Sequence, residues 1–195
     1  GFSSFNGDGN GFKLGGDDTP CPITIKHCVA FNCKWGAVCG FNDNNNASVI
    51  NVLNCTAWNC GKCFKLQNPE PILKNNLAFL PLSGSRFTRD LNSNAVEVNN
   101  SWNLTNITAD ASDLLDTTEA SALAARQSDG GLPNNNFAKL VPTSDLIDKG
   151  ADIGLPFTGS APDLGAYEYG ITLPSVPSNV FVLANPTSVE EKVAT

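Results

Sequence analysis

A chain of 195 residues has the length of one ordinary domain and is long enough to bury a core. Its net charge of −7 argues against nucleic acid as a partner, which would call for a basic face. No run approaches the roughly 18 consecutive apolar residues that a membrane span needs, so no membrane partner is expected, and no charged-then-apolar leader opens the chain, as in a mature or truncated form.

Asn is abundant, with runs at Asn44–Asn46 and Asn134–Asn136, and Gly and Pro punctuate the chain throughout. Asn and Gly tolerate the left-handed backbone of tight bends, so this profile predicts short strands joined by turns. The stretch with helical character is Ser112 to Arg126, expected as a short helix or an irregular wrap.

In chain order, the first predicted strand is Gly11-Phe-Lys-Leu14. The second, Ile23-Thr-Ile-Lys-His-Cys-Val-Ala-Phe31, alternates apolar residues at period two. Both patterns return: the first as Gly40-Phe-Asn-Asp43 and Cys63-Phe-Lys-Leu66, the second as Ile50 to Trp58, as Pro71 to Phe79, and in worn form ending at Val98-Asn-Asn-Ser-Trp102. Recurrence every twenty-odd residues is the mark of a solenoid, and the uneven spacing, with steps of 27, 21 and 23 at Cys28, Cys55, Asn76 and Asn99, favours a right-handed parallel β-helix. Alternation places Ile23, Ile25, Ile50, Val52 and Leu73 on one inward face. His27, Asn54 and Asn75 fall at a bend as a polar ladder. Rungs are expected over residues 1–104 and an irregular C-terminal cap, a wrapping or capping segment of the same domain, over 105–170. Residues 171–195, rich in Pro, read as a tail or linker.

The seven cysteines all lie between Cys21 and Cys63. Stacking puts Cys33 beside Cys60, in a turn, as the expected disulfide. Cys28 and Cys55 stack with their side chains pointing in parallel, which disfavours a bond, and Cys39 with Cys63 is a third candidate. Cys60-Gly-Lys-Cys63 lacks the second ligand pair of a zinc site. Disulfides and the sequons at Asn46, Asn54, Asn99, Asn103 and Asn106 suit a secreted, extracellular glycoprotein. Asn54 and Asn99 are expected to be wholly or partly buried and bare, with Asn46, Asn103 and Asn106 in turns open to glycan.

At Gly7-Asp-Gly-Asn-Gly-Phe-Lys-Leu-Gly-Gly16 the sequence resembles polysaccharide lyase family 9, the pectate lyases built on a parallel β-helix. The likeness continues through Gly40-Phe-Asn-Asp-Asn-Asn-Asn46, Asn100-Ser-Trp102, Asp129-Gly-Gly-Leu-Pro133 and Gly159 to Glu168, in family order. It implies the C-terminal part of a lyase that cleaves pectate, an acidic plant cell-wall polysaccharide, by calcium-assisted β-elimination. Lys13 matches the family's Brønsted base. The aspartates that hold calcium in the family lie on rungs before the lysine string, so no metal ligand is assigned here and a complementary N-terminal piece is expected, in cis or in trans. Asn42 stands where the family tends to carry Asp.

Asn10, Asn42 and Lys65 are the expected substrate-binding residues: Lys65 repeats the Lys13 position two rungs on, and Asn42 lies between them. The glycines Gly11, Gly15 and Gly16 are expected to clear space around Lys13. Asn6 to Gly11 lacks the closing Glu of a calcium loop, and Asp17, Asp18 and Asp43 read as solvated turn residues. The single histidine leaves no credible Ser-His-Asp arrangement. The alternative function is a non-catalytic or inactive β-helix with a carbohydrate-binding or surface role.

Overall fold

The computed structural model describes residues 9–16, 18–33, 39–79 and 87–171. The tail or linker expected over 171–195 lies, Ile171 apart, outside them. Period-two alternation makes short strands, and these stack into three parallel sheets. The first sheet holds β1 (Phe12–Lys13), β4 (Cys39–Asn42), β7 (Lys62–Leu66) and β10 (Phe87–Leu91). The second holds β2 (Ile23–Lys26), β5 (Ile50–Leu53), β8 (Ile72–Lys74) and β11 (Val96–Val98). The third holds β3 (Val29–Phe31), β6 (Thr56–Trp58) and β9 (Leu77–Phe79). Every neighbouring pair is parallel, so each rung crosses the three sheets in turn, as a parallel β-helix requires.

Like residues stack because strands repeat at one spacing. Phe12, Phe41 and Phe64 form an inward column with ring centroids 4.8 and 4.9 Å apart and planes within 4°. Ile50, Val52 and Leu73 are fully buried from the second sheet, and Ala30, Ala57 and Ala78 line the third. Small residues there let the third sheet approach the first. Gly11 shows how closely: a Cβ on it would lie 2.7 Å from the Gly40 carbonyl oxygen and 2.9 Å from Ala30 Cβ.

The bend between the second and third sheets is a column of left-handed residues: His27, Asn54, Asn75 and Asn99, with φ of 50°, 46°, 56° and 48°. Asn99 thus belongs to this column, one place from its expected position. Its predicted place beside Asn76 is taken by Asn100, whose Oδ1 accepts from the Asn76 backbone N–H at 3.0 Å. Asn76 Oδ1 in turn accepts from Cys55 N–H at 2.9 Å, an interior amide ladder that satisfies backbone groups at the corner.

The last rung departs from the repeat. Arg89, not a phenylalanine, pairs with Phe64 in register. Trp102, expected on the outward column of Phe31, Trp58 and Phe79, packs against Phe64 with ring centroids 5.1 Å apart. Its indole N–H donates to Glu97, which also pairs with Arg89 at 3.1 Å. Trp102, Glu97 and Arg89 therefore close the foot of the core.

The segment after the rungs, expected as a wrap or a cap, runs along a flank of the solenoid. It contains a 3₁₀ turn (Ala111–Asp113) and one short helix, α1 (Glu119–Ala122). The outward face of the third sheet is apolar, and Leu114, Phe137, Leu140, Leu146 and Leu164 bury against Trp58, Leu77 and Phe79. Backbone carbonyls of the segment meet the bend column: Asn54 Nδ2 donates to Asp163 O at 3.2 Å, Asn75 Nδ2 to Ala151 O at 2.9 Å, and Asn99 Nδ2 to Lys149 O at 2.9 Å. His27 Nδ1 lies 3.2 Å from Ala166 O. The polar ladder thus serves chiefly as a docking strip. A flank carrying both exposed apolar side chains and unspent amides demands a cover, whereas Trp102 already closes the foot.

Candidate functional site

The outward face of the first sheet collects the charged residues of the repeat. Because Phe12, Phe41 and Phe64 point inward, their successors point out, and the register aligns Lys13 with Asn42, Asn42 with Lys65, and Lys65 with Asp90. Lys13 is exposed, and the other three are half-buried. At one strand spacing per rung, Lys13 and Lys65 stand roughly 10 Å apart.

Lys13 is fixed from both sides by the backbone. Gly11 N–H donates to Cys39 O at 3.0 Å and Leu14 N–H to Asn42 O at 2.7 Å. Two of the three glycines around it serve the scaffold and do not clear room for a ligand. Gly11 faces the core. Gly15 has φ of +121°, and a Cβ there would fall 2.6–2.8 Å from the Asn46 side chain. A Cβ on Gly16 would meet only Asn44 Nδ2, at 3.6 Å.

Asn10 precedes β1, and its Oδ1 accepts from Cys39 N–H at 2.7 Å, a bond between rungs. Asn42 Oδ1 accepts from Asn44 N–H at 2.7 Å, which shapes the following turn, and its Nδ2 donates to Cys39 Sγ at 3.8 Å. Both carbonyl oxygens are therefore committed to the fold. The column brings Lys13, Asn42 and Lys65 together, with Asn10 at its N-terminal approach.

Asp90 continues the same column and pairs with Lys62, two residues that the sequence reading passed over. Asp90 Oδ2 pairs with Lys62 Nζ, and its Oδ1 accepts from Gln67 Nε2 at 2.7 Å. The signal for Asp90 was the alternation of Phe87-Thr-Arg-Asp-Leu91, hidden by the missing inward phenylalanine. Beneath the column Cys39 is wholly buried, and burial pushes its thiol up to about 11 against the opposing pull of Lys65 and Lys62.

Asp43 is not a solvated turn residue. It is 1% exposed, and its Oδ2 accepts from the backbone N–H of Gln67 at 2.6 Å and of Asn68 at 2.7 Å, tying two rungs at the corner. Asp18 is exposed at a turn, as expected. Asp17 and the first half of the Asn6–Gly11 loop lie outside the described residues. Among the described residues no group of three or more His, Cys, Asp or Glu side chains gathers where it could hold an ion. The described residues therefore do not build a calcium site.

All seven cysteines are free thiols, so the expected Cys33–Cys60 disulfide is not formed. Cys28 and Cys33 each lie beside the cysteine one rung on, Cys55 and Cys60 respectively, and donate to the carbonyls of Lys26 at 3.2 Å and Phe31 at 3.7 Å. Register stacking aims the paired side chains the same way, which suits a thiol ladder and not a bridge. The hydrogen bond from Cys55 lowers Cys28 to about 7, and burial pushes Cys55 itself up.

Asn46 also differs from expectation. It is 1% exposed, its Oδ1 accepts from Cys21 N–H at 3.1 Å, and its Nδ2 donates to Leu14 O at 2.9 Å and Cys21 O at 2.7 Å. It is a corner brace and not a free sequon. Asn54 is buried as expected, Asn99 is half-buried, and Asn103 and Asn106 are exposed.

No family model matches the chain. Pectate lyase L of Dickeya chrysanthemi is 36% identical over 172 residues, covering 85% of this chain and 38% of that protein. Pectate lyase L of Paenibacillus polymyxa (strain SC2) is 34% identical over 158 residues, covering 79% of this chain and 34% of that protein. The crystal structure of pectate lyase Pel9A superposes with a TM-score of 0.71 at 34% identity, covering 86% of this chain and 40% of that one. The chain thus spans about two fifths of the length of these relatives.

Proposed function

Because this chain belongs with the family 9 pectate lyases, we propose that it carries the base and part of the sugar-binding face of a secreted enzyme that cleaves polygalacturonate by β-elimination. The observation that carries this reading is the in-register column of Lys13, Asn42 and Lys65 on the open face of the first sheet.

In this reading the Lys13 amine, in its neutral form, takes the C5 proton of a galacturonate unit. The electrons of the C5–H bond become the second bond of C4=C5. The C4–O bond to the leaving sugar breaks, and that oxygen is protonated as it departs. A rigid backbone is an advantage here, since a general base works only within hydrogen-bond reach of its proton. Lys65 is too far along the column to share that proton. Its ammonium instead suits the carboxylate of a neighbouring uronate. Asn42 lies between the two lysines, and with its oxygen committed to the turn it presents the amide nitrogen as a donor to a sugar hydroxyl. Asn10, its oxygen spent on Cys39 N–H, keeps an amide nitrogen as a donor at the N-terminal approach to the column.

Calcium is the cofactor that the family resemblance implies, and its ligands are proposed to lie on a complementary N-terminal segment, in cis or bound in trans. The test is incubation of the protein, completed by that N-terminal segment, with polygalacturonate and added calcium. The reading expects a rise in ultraviolet absorbance from the C4=C5 bond of the product. New reducing ends without that absorbance would mean hydrolysis. Binding without cleavage would leave a carbohydrate-binding role.

A further inference from the structure

On the galacturonan reading above, we infer that Asp90 ends the anion-attracting face at the fourth rung and, with Lys62, makes a subsite for an uncharged sugar. The outward column reads Lys13, Asn42, Lys65, Asp90 in strict register. Its first three members offer two ammonium groups and an amide to an acidic polymer. The fourth offers a carboxylate.

That carboxylate is held in place. One oxygen pairs with Lys62 Nζ and the other accepts from Gln67 Nε2 at 2.7 Å. The pair is sheltered, with side-chain exposures of 23% for Lys62 and 31% for Asp90, so it is screened less than a fully solvated one. Two consequences follow. The Lys62 charge is spent on Asp90 and is cancelled as an attractor. A uronate carboxylate beside the fourth rung would also face a fixed like charge and would have to displace Asp90 from Lys62 to gain a partner. An uncharged pyranose, whether a uronate with an esterified carboxyl or a neutral hexose, meets neither obstacle. It finds hydrogen-bonding groups in Gln67 and Asp90. The face is therefore graded along the solenoid axis, selecting an acidic unit near Lys65 and an uncharged one at the next position.

The test uses the intact chain and electrophoresis through gels containing either fully de-esterified polygalacturonate or partly methyl-esterified polymer, the retardation giving a ratio of affinities. Asp90→Asn removes the like charge and releases Lys62, and should shift the ratio about three- to five-fold toward the de-esterified polymer, the scale of one exposed charge pair. Lys62→Gln leaves Asp90 unneutralised and should shift it the other way. Both shifts should shrink as salt rises. If neither variant moves the ratio, or both move it in the same direction, the subsite assignment is overturned while the galacturonan reading stands. If the folded, unsubstituted chain is retarded by neither polymer, both readings fall.

Discussion

Asn75 and Ala151 bond each other reciprocally: Asn75 Nδ2 donates to Ala151 O at 2.9 Å, and Asn75 Oδ1 accepts from Ala151 N–H at 2.8 Å. The exchange joins a fully buried bend residue of the solenoid to the wrapping segment 76 positions away. Asn75→Ala would strand both backbone groups and place Ala at φ of 56°. The expected cost is about 3 kcal/mol, from two partly buried backbone groups of Ala151 left unpaired and a left-handed alanine. Urea denaturation of the variant checks it. A change below about 0.5 kcal/mol would mean that the wrap does not depend on this strip.

The aromatic column should be equally sensitive. Phe41 is completely buried between Phe12 and Phe64. Phe41→Ala should cost about 3–5 kcal/mol, combining lost burial with a cavity between two stacked rings. Phe41→Leu should recover a good part of that. Thermal or urea unfolding of the two variants gives the comparison directly.

The sequons should divide by burial. Produced in a glycosylating host, the protein should carry glycan at Asn103 and Asn106 and none at Asn46 or Asn54, whose amides brace buried corners. Glycopeptide mass spectrometry decides this. Glycan on Asn46 would require the Leu14–Asn46–Cys21 brace to be open.

Thiol chemistry should separate by pH. Cys28, lowered to about 7 by its hydrogen bond with Cys55, should be alkylated with half-maximal rate near that pH, while Cys39, raised to about 11 by burial, stays inert through neutrality. The stability consequence has opposite signs for the two. The depressed Cys28 value favours the fold above the ordinary thiol value of 9.0, a contribution lost as pH falls through 7. The raised values of Cys39, about 11, and Cys63, about 12, favour the fold below 9.0, a contribution lost as pH climbs through them. Iodoacetamide mapping across pH tests the first part, and urea midpoints between pH 8 and 11 test the second.

Much of this architecture was legible because stacking forces like residues into like columns. The phenylalanines at 12, 41 and 64, the inward Ile50, Val52 and Leu73, and the Lys13–Asn42–Lys65 register all followed from a repeat with period-two alternation. The last rung did not follow, because it breaks the rule that revealed the others. Arg89 replaces the aromatic, and Trp102 swings into the core while Ser101 satisfies the edge of β9 through its hydroxyl. The corners were also hidden. Asp43 and Asn46 look like turn residues locally, yet they bind backbone groups 24 to 32 positions away, which no local pattern displays. Lys13 stood out only through family likeness, since nothing in its spacing separates it from Lys65.

The most direct test of the account is therefore the substitution Lys13→Ala in the enzyme completed by its N-terminal segment, assayed beside the unsubstituted enzyme on polygalacturonate with added calcium. Lys13 is exposed and carries none of the core, so circular dichroism and the unfolding midpoint should be unchanged. The rate of unsaturated-product formation at saturating substrate should fall by about 10²–10⁴-fold, the usual contribution of a general base. Retention of most of the turnover by a folded Lys13→Ala protein would contradict the assignment of the base.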